Sequence, residues 1–456
     1  MMSMLKIAIV FIALAGVVAI GWYDAPWALF LVGLYNFGIS AMEAMWRLYA
    51  DRSPDAELGL AWPEPIRPGD ETMRFTLIVC ALDEEAVIRT TLRKLVTQTH
   101  RHCQIIVSLR DHDTVTINAV KEVAAQYPGQ LEVVVGDYPQ SGKAVQLNGA
   151  LKYATGDYVC PVDAECDVAP DLLRHVEALI RETGADIVQG AVQLMNLGSR
   201  LQEWFQPHNV LEYFAWYSSR MLFQVDAGFV PLGGNTVFVR ADLARAVGGW
   251  PQTVTEDCAM GVLLCSQHGA RVVAAFSSRL ATREEVPPTI FHRRKGSLFW
   301  QRVRWLEGIF QELLRGYWWK MPTFRQKVLA GYILAAPILQ AISCALLPLA
   351  LVTAFVLKVP EALALFLYLP LIPLTVTMIS MLLALGQFGR EYGMKVRTRH
   401  FASILFLTPV YQAILAAAAV CAVYRYYWGD GTWYRTGRGL QHREEEALVH
   451  SEGAVL

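Results

Sequence analysis

The apolar positions of this chain form two patterns, long unbroken runs towards both ends and short runs in the middle. Two long runs, at residues 5–23 and 27–46, are separated by a break that contains Asp24 and Pro26. Each run is long enough to cross the roughly 30 Å hydrocarbon core of a bilayer. Because the second run follows the first at once, we expect a helical hairpin rather than a cleaved signal peptide. Three further runs lie near the C-terminus, at residues 328–357, 361–386 and 401–424.

Short apolar runs alternate with helix-like stretches through the middle of the chain. The short runs are rich in Val and Ile, which favour strands. Alternation of strands and helices predicts an α/β domain with a mostly parallel sheet that is covered on both faces. The predicted strands lie at residues 75–81, 104–108, 131–135, 158–162 and 186–190, and the predicted helices at 85–98, 116–127, 142–154 and 170–183.

The segment 298–320 mixes aromatic residues and arginine at helical spacing and is too highly charged to span a bilayer. We therefore expect an amphipathic helix on the membrane surface. Together these patterns divide the chain into an N-terminal transmembrane hairpin (1–52), an α/β domain (53–297), the interfacial helix (298–325), a C-terminal transmembrane region (326–426) and a polar tail (427–456).

Composition agrees with a membrane-embedded protein. Apolar residues make up 54% of the 456 residues and charged residues 18%, whereas soluble domains carry about 25% charged residues. The net charge of −1 gives no overall basic field of the kind that nucleic-acid binding requires. The eight cysteines are scattered without a Cys-x-x-Cys pair, so the sequence predicts neither a disulfide framework nor a zinc site.

Basic residues next to the apolar runs predict the orientation in the membrane. Arg390, Lys395 and Arg397 lie between the last two runs, and Arg47 and Arg52 follow the first hairpin. Such residues favour the cytoplasm, which places the block 53–320 there. Counting the runs then puts the tail outside, yet its own arginines favour the inside. Both placements stay open, and one C-terminal run could instead be re-entrant or interfacial.

Charged residues follow the first four predicted strands, where a parallel sheet binds its ligands. Asp83 and Glu84 follow the first strand, Asp113 lies in the loop after the second, and Lys143 follows the third after Gly142. Taken one at a time, these residues are also explained by acidic helix N-termini, by a helix cap or by a solvated loop. A glycine and a lysine before a helix could also place positive charge near a phosphate.

The loop after the fourth strand carries Asp163 and Glu165. Carboxylates at the end of a buried strand are costly unless they are paired or bound to a metal. Their hard oxygen atoms suit Mg²⁺ or Mn²⁺, ions that often also bind substrate phosphates. The sequence therefore favours a divalent-metal site here.

Two later motifs could carry further chemistry. Asp257, next to Glu256, could act as a general base, although a helix N-terminus would explain it equally well. Gln301, Arg304 and Trp305 share one helix face because they are spaced at i, i+3 and i+4. An arginine beside a tryptophan can bind a diphosphate while the ring stacks on a sugar. For the neighbouring arginine of this segment, Arg302, we expect only an interfacial side chain.

The ordered set of motifs resembles that of the membrane-embedded family-2 glycosyltransferases, the group of cellulose, hyaluronan and chitin-oligosaccharide synthases. The apolar segments on both sides of the central block also fit this group, and Glu284-Glu285-Val286-Pro287 adds context before the last motif. The matching residues are, in order, Asp83-Glu84, Gly142-Lys143, Asp163-Ala164-Glu165, Thr255-Glu256-Asp257 and Gln301-x-x-Arg304-Trp305.

The resemblance implies a GT-A fold and transfer with inversion of the anomeric carbon. It implies that Asp163 and Glu165 hold Mg²⁺ or Mn²⁺ on the donor diphosphate and that Asp257 deprotonates the acceptor hydroxyl. The remaining implied roles are donor binding for Asp83, Glu84, Asp113, Lys143 and Arg304, and acceptor binding or closure of the site for Glu256, Gln301 and Trp305.

The chain departs from this group in two places. Leu109-Arg110 stands where an Asp-Asp pair is usual, and Glu165 stands where Asp is common. The first departure bears on the nucleotide: we expect a UDP-sugar as donor, but another nucleotide stays open.

The function that we expect is a metal-dependent glycosyltransferase of the cell membrane, with several spans and a cytoplasmic catalytic domain. Its partners would be a nucleotide sugar, a glycan or lipid acceptor and the bilayer, without nucleic acid. The last motif favours extension of a polysaccharide. The alternatives are a single transfer to a lipid and a catalytically inactive membrane scaffold, and a transporter is disfavoured because the apolar runs hold few ionisable residues.

Overall fold

The computed structural model describes residues 25–49, 62–138, 142–292, 297–356 and 370–429. The apolar run 5–23 and nearly all of the polar tail lie outside the described residues. Within them, each strand and helix predicted in the α/β domain is present with its ends moved by a few residues. The strands are β1 (Phe75–Ala81), β2 (Cys103–Arg110), β3 (Leu131–Gly136), β4 (Tyr158–Asp163), β5 (Ile187–Gly190), β6 (Val192–Leu194), β7 (Val237–Arg240), β8 (Val272–Ala275) and β9 (Thr282–Glu284).

The described helices fall into those of the α/β domain and those that flank it. In the domain they are α2 (Ile88–Leu95), α3 (Thr114–Gln126), α4 (Lys143–Leu151), α5 (Leu172–Thr183), α6 (Gln206–Ala215), α7 (Met221–Asp226), α8 (Ala241–Ala246) and α9 (Glu256–His268). The flanking helices are α1 (Ala25–Tyr49), α10 (Leu298–Arg315), α11 (Phe324–Val356), α12 (Leu371–Glu391) and α13 (Thr398–Trp428). A π-helical turn, Trp216–Arg220, joins α6 to α7.

The main sheet has seven strands in the order β3-β2-β1-β4-β7-β5-β8. Its strands are parallel except for β7, which runs antiparallel to β4 and β5. A small second sheet pairs β6 with β9 in parallel. The predicted mostly parallel α/β sheet is therefore confirmed.

The sheet is buried on both faces. Successive side chains of a strand point to opposite sides, so each strand contributes to two separate cores. Phe75, Leu77 and Val79 of β1 pack in one core against α2, α3 and α5. Ile78 of the same strand packs in a second core with α4, α8 and α9. Such packing explains why the central strands read as continuous apolar runs rather than as alternating ones.

The flanking helices are long and apolar. Three of those described are long and apolar enough to cross a membrane, namely Phe324–Leu346, Leu371–Glu391 and Thr398–Trp428. They overlap the three apolar runs near the C-terminus, although residues 361–369 of the second run lie outside the described residues, and the run 27–46 falls within α1. The domain boundaries drawn from the sequence remain a prediction.

A buried carboxylate fixes the end of the sheet that lies away from the charged loops. Glu177 of α5 has a fully buried side chain that accepts hydrogen bonds from the backbone N–H of Thr72 (2.9 Å) and of Met73 (3.3 Å). Arg181 forms an ion pair with this same oxygen, Oε1, and the other oxygen, Oε2, lies 2.7 Å from His100 Nε2. Burial alone would raise the pKa of Glu177, but these donors outweigh it and the pKa is lowered.

We predict that Glu177→Gln lowers the free energy of unfolding by about 3 kcal/mol, because it leaves buried donors without their charged partner. The melting temperature of the purified protein in detergent should fall by roughly 5–10 °C.

The lowered pKa of Glu177 also predicts a pH dependence. The ionised carboxylate adds stability above its unfolded-state pKa and loses this effect as the pH falls through the folded-state value. The difference from wild type should therefore narrow at acid pH. Glu182→Gln, an exposed change on the same helix, is the control, and equal melting temperatures for the two variants would contradict the assignment.

Candidate active site

One large cavity opens at the carboxyl ends of β1, β2 and β4. Its volume is about 1370 Å³, and a sheet of this topology is expected to bind ligands there. Of the eleven candidate residues, two do not line the cavity, Asp83 and Asp113. The other nine do: Glu84, Lys143, Asp163, Glu165, Glu256, Asp257, Gln301, Arg304 and Trp305.

Asp113 supports the loop that carries Asp83 and Glu84. Its carboxylate caps α3 by accepting from Thr116 N (3.1 Å) and also accepts from Asp83 N (2.6 Å). Asp83 has a φ of 51°, in the left-handed region that few residues other than glycine adopt. The Asp113 contact stabilises this conformation, and Glu84 thereby reaches the cavity wall.

Lys143, the first residue of α4, connects two loops of the site. Its Nζ lies 2.5 Å from Asp163 Oδ1 and donates to the carbonyl of Gly234 at 2.8 Å. Burial lowers the pKa of Lys143, but the negative charges of Asp163 and Glu256 outweigh burial and raise it. The lysine is thus held as a cation at the end of β4.

Asp257 lies in the first turn of α9, close to Gly234. A Cβ built on Gly234 would lie 3.0 Å from Asp257 Oδ2 and 3.9 Å from Lys143 Nζ. The glycine therefore lets the loop lie close to both the carboxylate and the ammonium group. Asp257 Oδ1 accepts from Cys258 N at 2.8 Å, which leaves Oδ2 directed towards this loop.

Burial and mutual repulsion raise the pKa values of several carboxyl groups in the cavity. Burial raises the pKa of Asp257. Burial, and then the charge of Asp257, raises the pKa of Glu256 to about 7. Burial also lowers the pKa of Arg304, against the charges of Glu256, Asp163 and Asp257. The site thus concentrates negative charge in a poorly solvated space, as active sites often do.

Glu284 of β9 is a further acidic residue of the cavity, and it is not among the candidate site residues predicted from the sequence. Burial and the charges of Glu165 and Asp163 raise its pKa to about 8. Its Oε1 accepts from Asn235 Nδ2 at 2.7 Å. The only sequence signal for it is the pair Glu284-Glu285 just before the last motif.

The last motif lies on α10, which packs closely against the start of α9. A Cβ on Gly308 of α10 would lie 2.6 Å from Thr255 Cγ2, at the residue that precedes α9. Gly308 therefore allows the helix that carries Gln301, Arg304 and Trp305 to approach the helix that carries Asp257.

The expectation that Arg302 is an interfacial side chain is wrong. Arg302 is 6% exposed and lines the cavity. Its Nη2 donates to Asn209 Oδ1 at 2.6 Å and forms an ion pair with Glu212. The guanidinium carbon also lies 4.4 Å from the centre of the Trp305 ring. Partners on α6 satisfy this charge, and the sequence pattern of α10 alone gives no sign of them.

Arg110, which departs from the usual acidic pair, is also buried at the cavity wall. It donates to the carbonyl oxygens of Tyr138 (2.7 Å) and Gly142 (3.4 Å). Arg110 therefore supports the loop that leads to Lys143.

The cavity continues from the charged residues into the space between the flanking helices. Apolar side chains of α11, α12 and α13 line this part, among them Leu334, Met378 and Leu415. Polar groups line it as well: Asn36, Ser40 and Glu43 of α1, Gln340 and Ser343 of α11, Thr377 of α12, and Thr408 and Gln412 of α13. Glu43 forms an ion pair with Arg220 and accepts from Gln340 Nε2 at 3.2 Å.

Within the described ranges, no three side chains of His, Cys, Asp or Glu are close enough to form a ready metal-binding group. Asp163 and Glu165 nevertheless fit a divalent ion by their chemistry. They offer hard oxygen donors in a cavity where their charges raise the pKa of Glu284. A diphosphate ligand would supply further oxygen atoms.

Solved structures and curated relatives resemble the chain in different measure. The fold is similar to the mannosyltransferase PcManGT from Pyrobaculum calidifontis in complex with GDP-Man and Mn²⁺, with a TM-score of 0.58, 20% identity and coverage of 88% of this chain and 99% of that one. The beta-monoglucosyldiacylglycerol synthase of Synechocystis sp. is 30% identical over 264 residues, which are 56% of this chain and 52% of the relative. A poly-beta-1,6-N-acetyl-D-glucosamine synthase of Staphylococcus epidermidis is 29% identical over 196 residues, 42% and 44% of the two chains.

The chain thus spans about half the length of the curated relatives it matches. The sequence profile of the family described as "Glycosyltransferase like family 2" matches residues 73–308. This match covers the strands, loops and helices that build the charged end of the cavity, from the residues just before β1 to Gly308 of α10. The resemblance inferred from the five motifs is confirmed, and the chain belongs to the glycosyltransferase-like family 2.

Proposed function

We propose that this chain is an inverting, metal-dependent glycosyltransferase that moves a sugar from a nucleotide sugar to a hydroxyl group of an acceptor. One observation carries the proposal: Asp163, Asp257, Arg304 and Trp305 line a single cavity. These residues come from β4, α9 and α10, and a common wall is what joint action on one sugar requires.

The reaction that fits these residues is a single in-line displacement. The acceptor oxygen bonds to the anomeric carbon while the bond from that carbon to the diphosphate oxygen breaks. Asp257 takes the proton of the acceptor hydroxyl, and its raised pKa suits a general base that works near neutral pH. Arg304 and Lys143 stabilise the negative charge that the departing diphosphate gains.

Asp163 and Glu165 would hold the divalent ion. When bound, such an ion supplies Lewis-acid stabilisation of the leaving diphosphate. Glu84 and Lys143 lie on the walls where the nucleotide end of the donor would bind, and Asp113 acts there indirectly through the loop of Asp83. Gln301 and Trp305 would face the acceptor sugar together with Glu256.

The acceptor that the cavity favours is a growing polysaccharide. The polar groups of α1, α11, α12 and α13 provide hydrogen-bonding partners for a chain of hydroxyl groups between apolar helices. A second candidate is one transfer to a lipid, which the apolar part of the same cavity and the lipid product named for the Synechocystis relative favour.

For the membrane, we propose a catalytic domain in the cytoplasm and an interfacial rather than spanning α13. Near the start of α13, Arg399 donates to the carbonyl of Gly198 at 2.8 Å. Near its end, Arg425 forms an ion pair with Glu307 of α10 at 2.9 Å. Contacts at both ends with the same side of the molecule favour a helix along the membrane surface, with the tail on the catalytic side. The arginines of the tail agree with this placement.

The direct test is incubation of the purified full chain in lipid nanodiscs with a panel of nucleotide sugars and Mn²⁺ or Mg²⁺. We expect release of nucleoside diphosphate from at least one donor, its loss with EDTA, and its return when the ion is added back. Product mass decides the acceptor: a ladder of sugars supports polymer extension, and one sugar on a lipid supports the second candidate. Failure to release nucleotide from every donor would favour an inactive scaffold.

The role of Asp257 predicts that Asp257→Asn lowers turnover by roughly 10²–10⁴-fold. Binding of UDP or GDP with Mn²⁺, measured by calorimetry, should change little, because the amide keeps the shape of the side chain. Asp242→Asn, an exposed change at the start of α8, is the matched control and should leave turnover unchanged. Loss of nucleotide binding in Asp257→Asn would show that the base is assigned wrongly.

The placement of α13 predicts that two protease-cleavable tags on the full chain are cut from the same face of a sealed vesicle. One tag is inserted at the exposed turn of Gly129 in the catalytic domain, and the other follows Leu456. Protease added to inside-out vesicles should cut both tags, and protease added to right-side-out vesicles should cut neither. Cleavage of the two tags from opposite faces would mean that α13 crosses the bilayer.

A further inference from the structure

Arg302 contacts both of the residues through which α10 is proposed to hold the acceptor. Its Nη1 donates to Gln301 Oε1 at 3.3 Å, and its guanidinium carbon lies 4.4 Å from the centre of the Trp305 ring. A guanidinium over an indole face is attracted by the ring, more strongly where water is excluded. The same charged group therefore restricts both the amide of Gln301 and the plane of Trp305.

The guanidinium is itself held by α6. It donates to Asn209 Oδ1 at 2.6 Å and forms an ion pair with Glu212. Arginine suits this position because its planar fork can satisfy several acceptors while its face stacks on a ring. With a side chain that is 7% exposed, Arg302 has little contact with solvent, so these partners set its orientation.

The set of contacts continues to the membrane side of the protein. Tyr411 of α13 donates its hydroxyl to Glu212 Oε2 at 2.9 Å. Tyr213, next to Glu212, packs against Trp305 with ring centres 6.1 Å apart. A chain of direct contacts thus runs from α13 through Glu212 and Arg302 to Trp305.

We propose that Arg302 is a positioning residue that sets the orientation of Gln301 and Trp305, and that Glu212 and Tyr411 couple this orientation to α13. This inference rests on the proposed function for its effect on turnover, but not for its effect on Trp305. Arg302 does not bind the donor in this account. This coupling means that a displacement of α13, which also lines the membrane part of the cavity, reorients Gln301 and Trp305.

The test reads the environment of Trp305 directly. The chain has 13 tryptophans, so 5-fluorotryptophan is incorporated and the Trp305 fluorine resonance is assigned by its loss in Trp305→Phe. We expect Arg302→Lys to shift this resonance, because the ammonium group loses both the fork and the stacking contact. Tyr411→Phe, which removes one hydroxyl group, should shift it in the same direction by a smaller amount. Arg315→Lys, a change at the other end of α10, is the matched control and should leave it in place.

Turnover and nucleotide binding separate positioning from donor binding. With the nucleotide sugar that gives the highest turnover, Arg302→Lys should lower kcat by about 10- to 100-fold, while the KM for donor and the affinity for UDP or GDP with Mn²⁺ stay within about two-fold. A resonance that does not move in Arg302→Lys would overturn the proposal, as would a loss of nucleotide affinity equal to the loss of turnover. If Arg302→Lys does not fold, Tyr411→Phe tests the proposal instead: a shifted Trp305 resonance supports it, and an unchanged resonance overturns it.

Failure of the proposed function gives a different result. The Trp305 resonance would then shift in both variants, although the wild-type chain releases no nucleotide from any donor. The positioning of Trp305 by Arg302 would stand in that case, and only its catalytic meaning would fall.

Discussion

The charged end of the cavity depends on the balance between buried and partly buried carboxylates and the cations beside them. The charges of Asp163 and Glu256 favour the charged forms of both Lys143 and Arg304, and the charge of Asp257 favours the charged form of Arg304. Because these groups are partly or fully buried, their charges interact more strongly than they would at the surface. Burial and mutual repulsion raise the pKa of Glu256 and Glu284, and a ligand that brings positive charge to the carboxylates would relieve the repulsion.

Three parts of the chain must come close together to build this site, and small residues permit it. Gly234 lets its loop lie close to Lys143 and Asp257, and Gly308 lets α10 lie against the start of α9. The sheet provides the fixed frame, because β4 ends at Asp163 while Glu177 and its donors hold the opposite end. The site is therefore carried by rigid elements, which favours accurate placement of the reacting groups.

The sequence predicts the sheet and the order of its motifs well, because both depend on local patterns. Strands β1, β2 and β4 are buried on both faces, so they read as short apolar runs, and the charged residues after them fall at the binding edge of the sheet by topology alone. This topology identifies Glu84 after β1 and Asp163 after β4, and Lys143 follows the neighbouring strand β3. Strand β7 has only the four residues Val237–Arg240. So short an apolar stretch does not indicate from the sequence that the strand runs antiparallel to β4.

What the sequence missed are contacts between residues that are far apart in the chain. Arg302 looked like one of several arginines in an amphipathic helix, and only its partners on α6 show that it is buried. Tyr411 reaches Glu212 across 199 positions of the chain, and no local pattern marks such a pair. Asp113 shows the reverse case: it was expected at the donor, but it acts through the backbone of Asp83, one strand away.

The central claim is that one carboxylate base and one displacement act in this cavity. The anomeric configuration of the first transferred sugar, measured by proton NMR on the isolated product, tests it most directly. The account predicts a configuration opposite to that of the sugar in the nucleotide donor. A product with the donor's own configuration would require two displacements or another mechanism and would contradict the account.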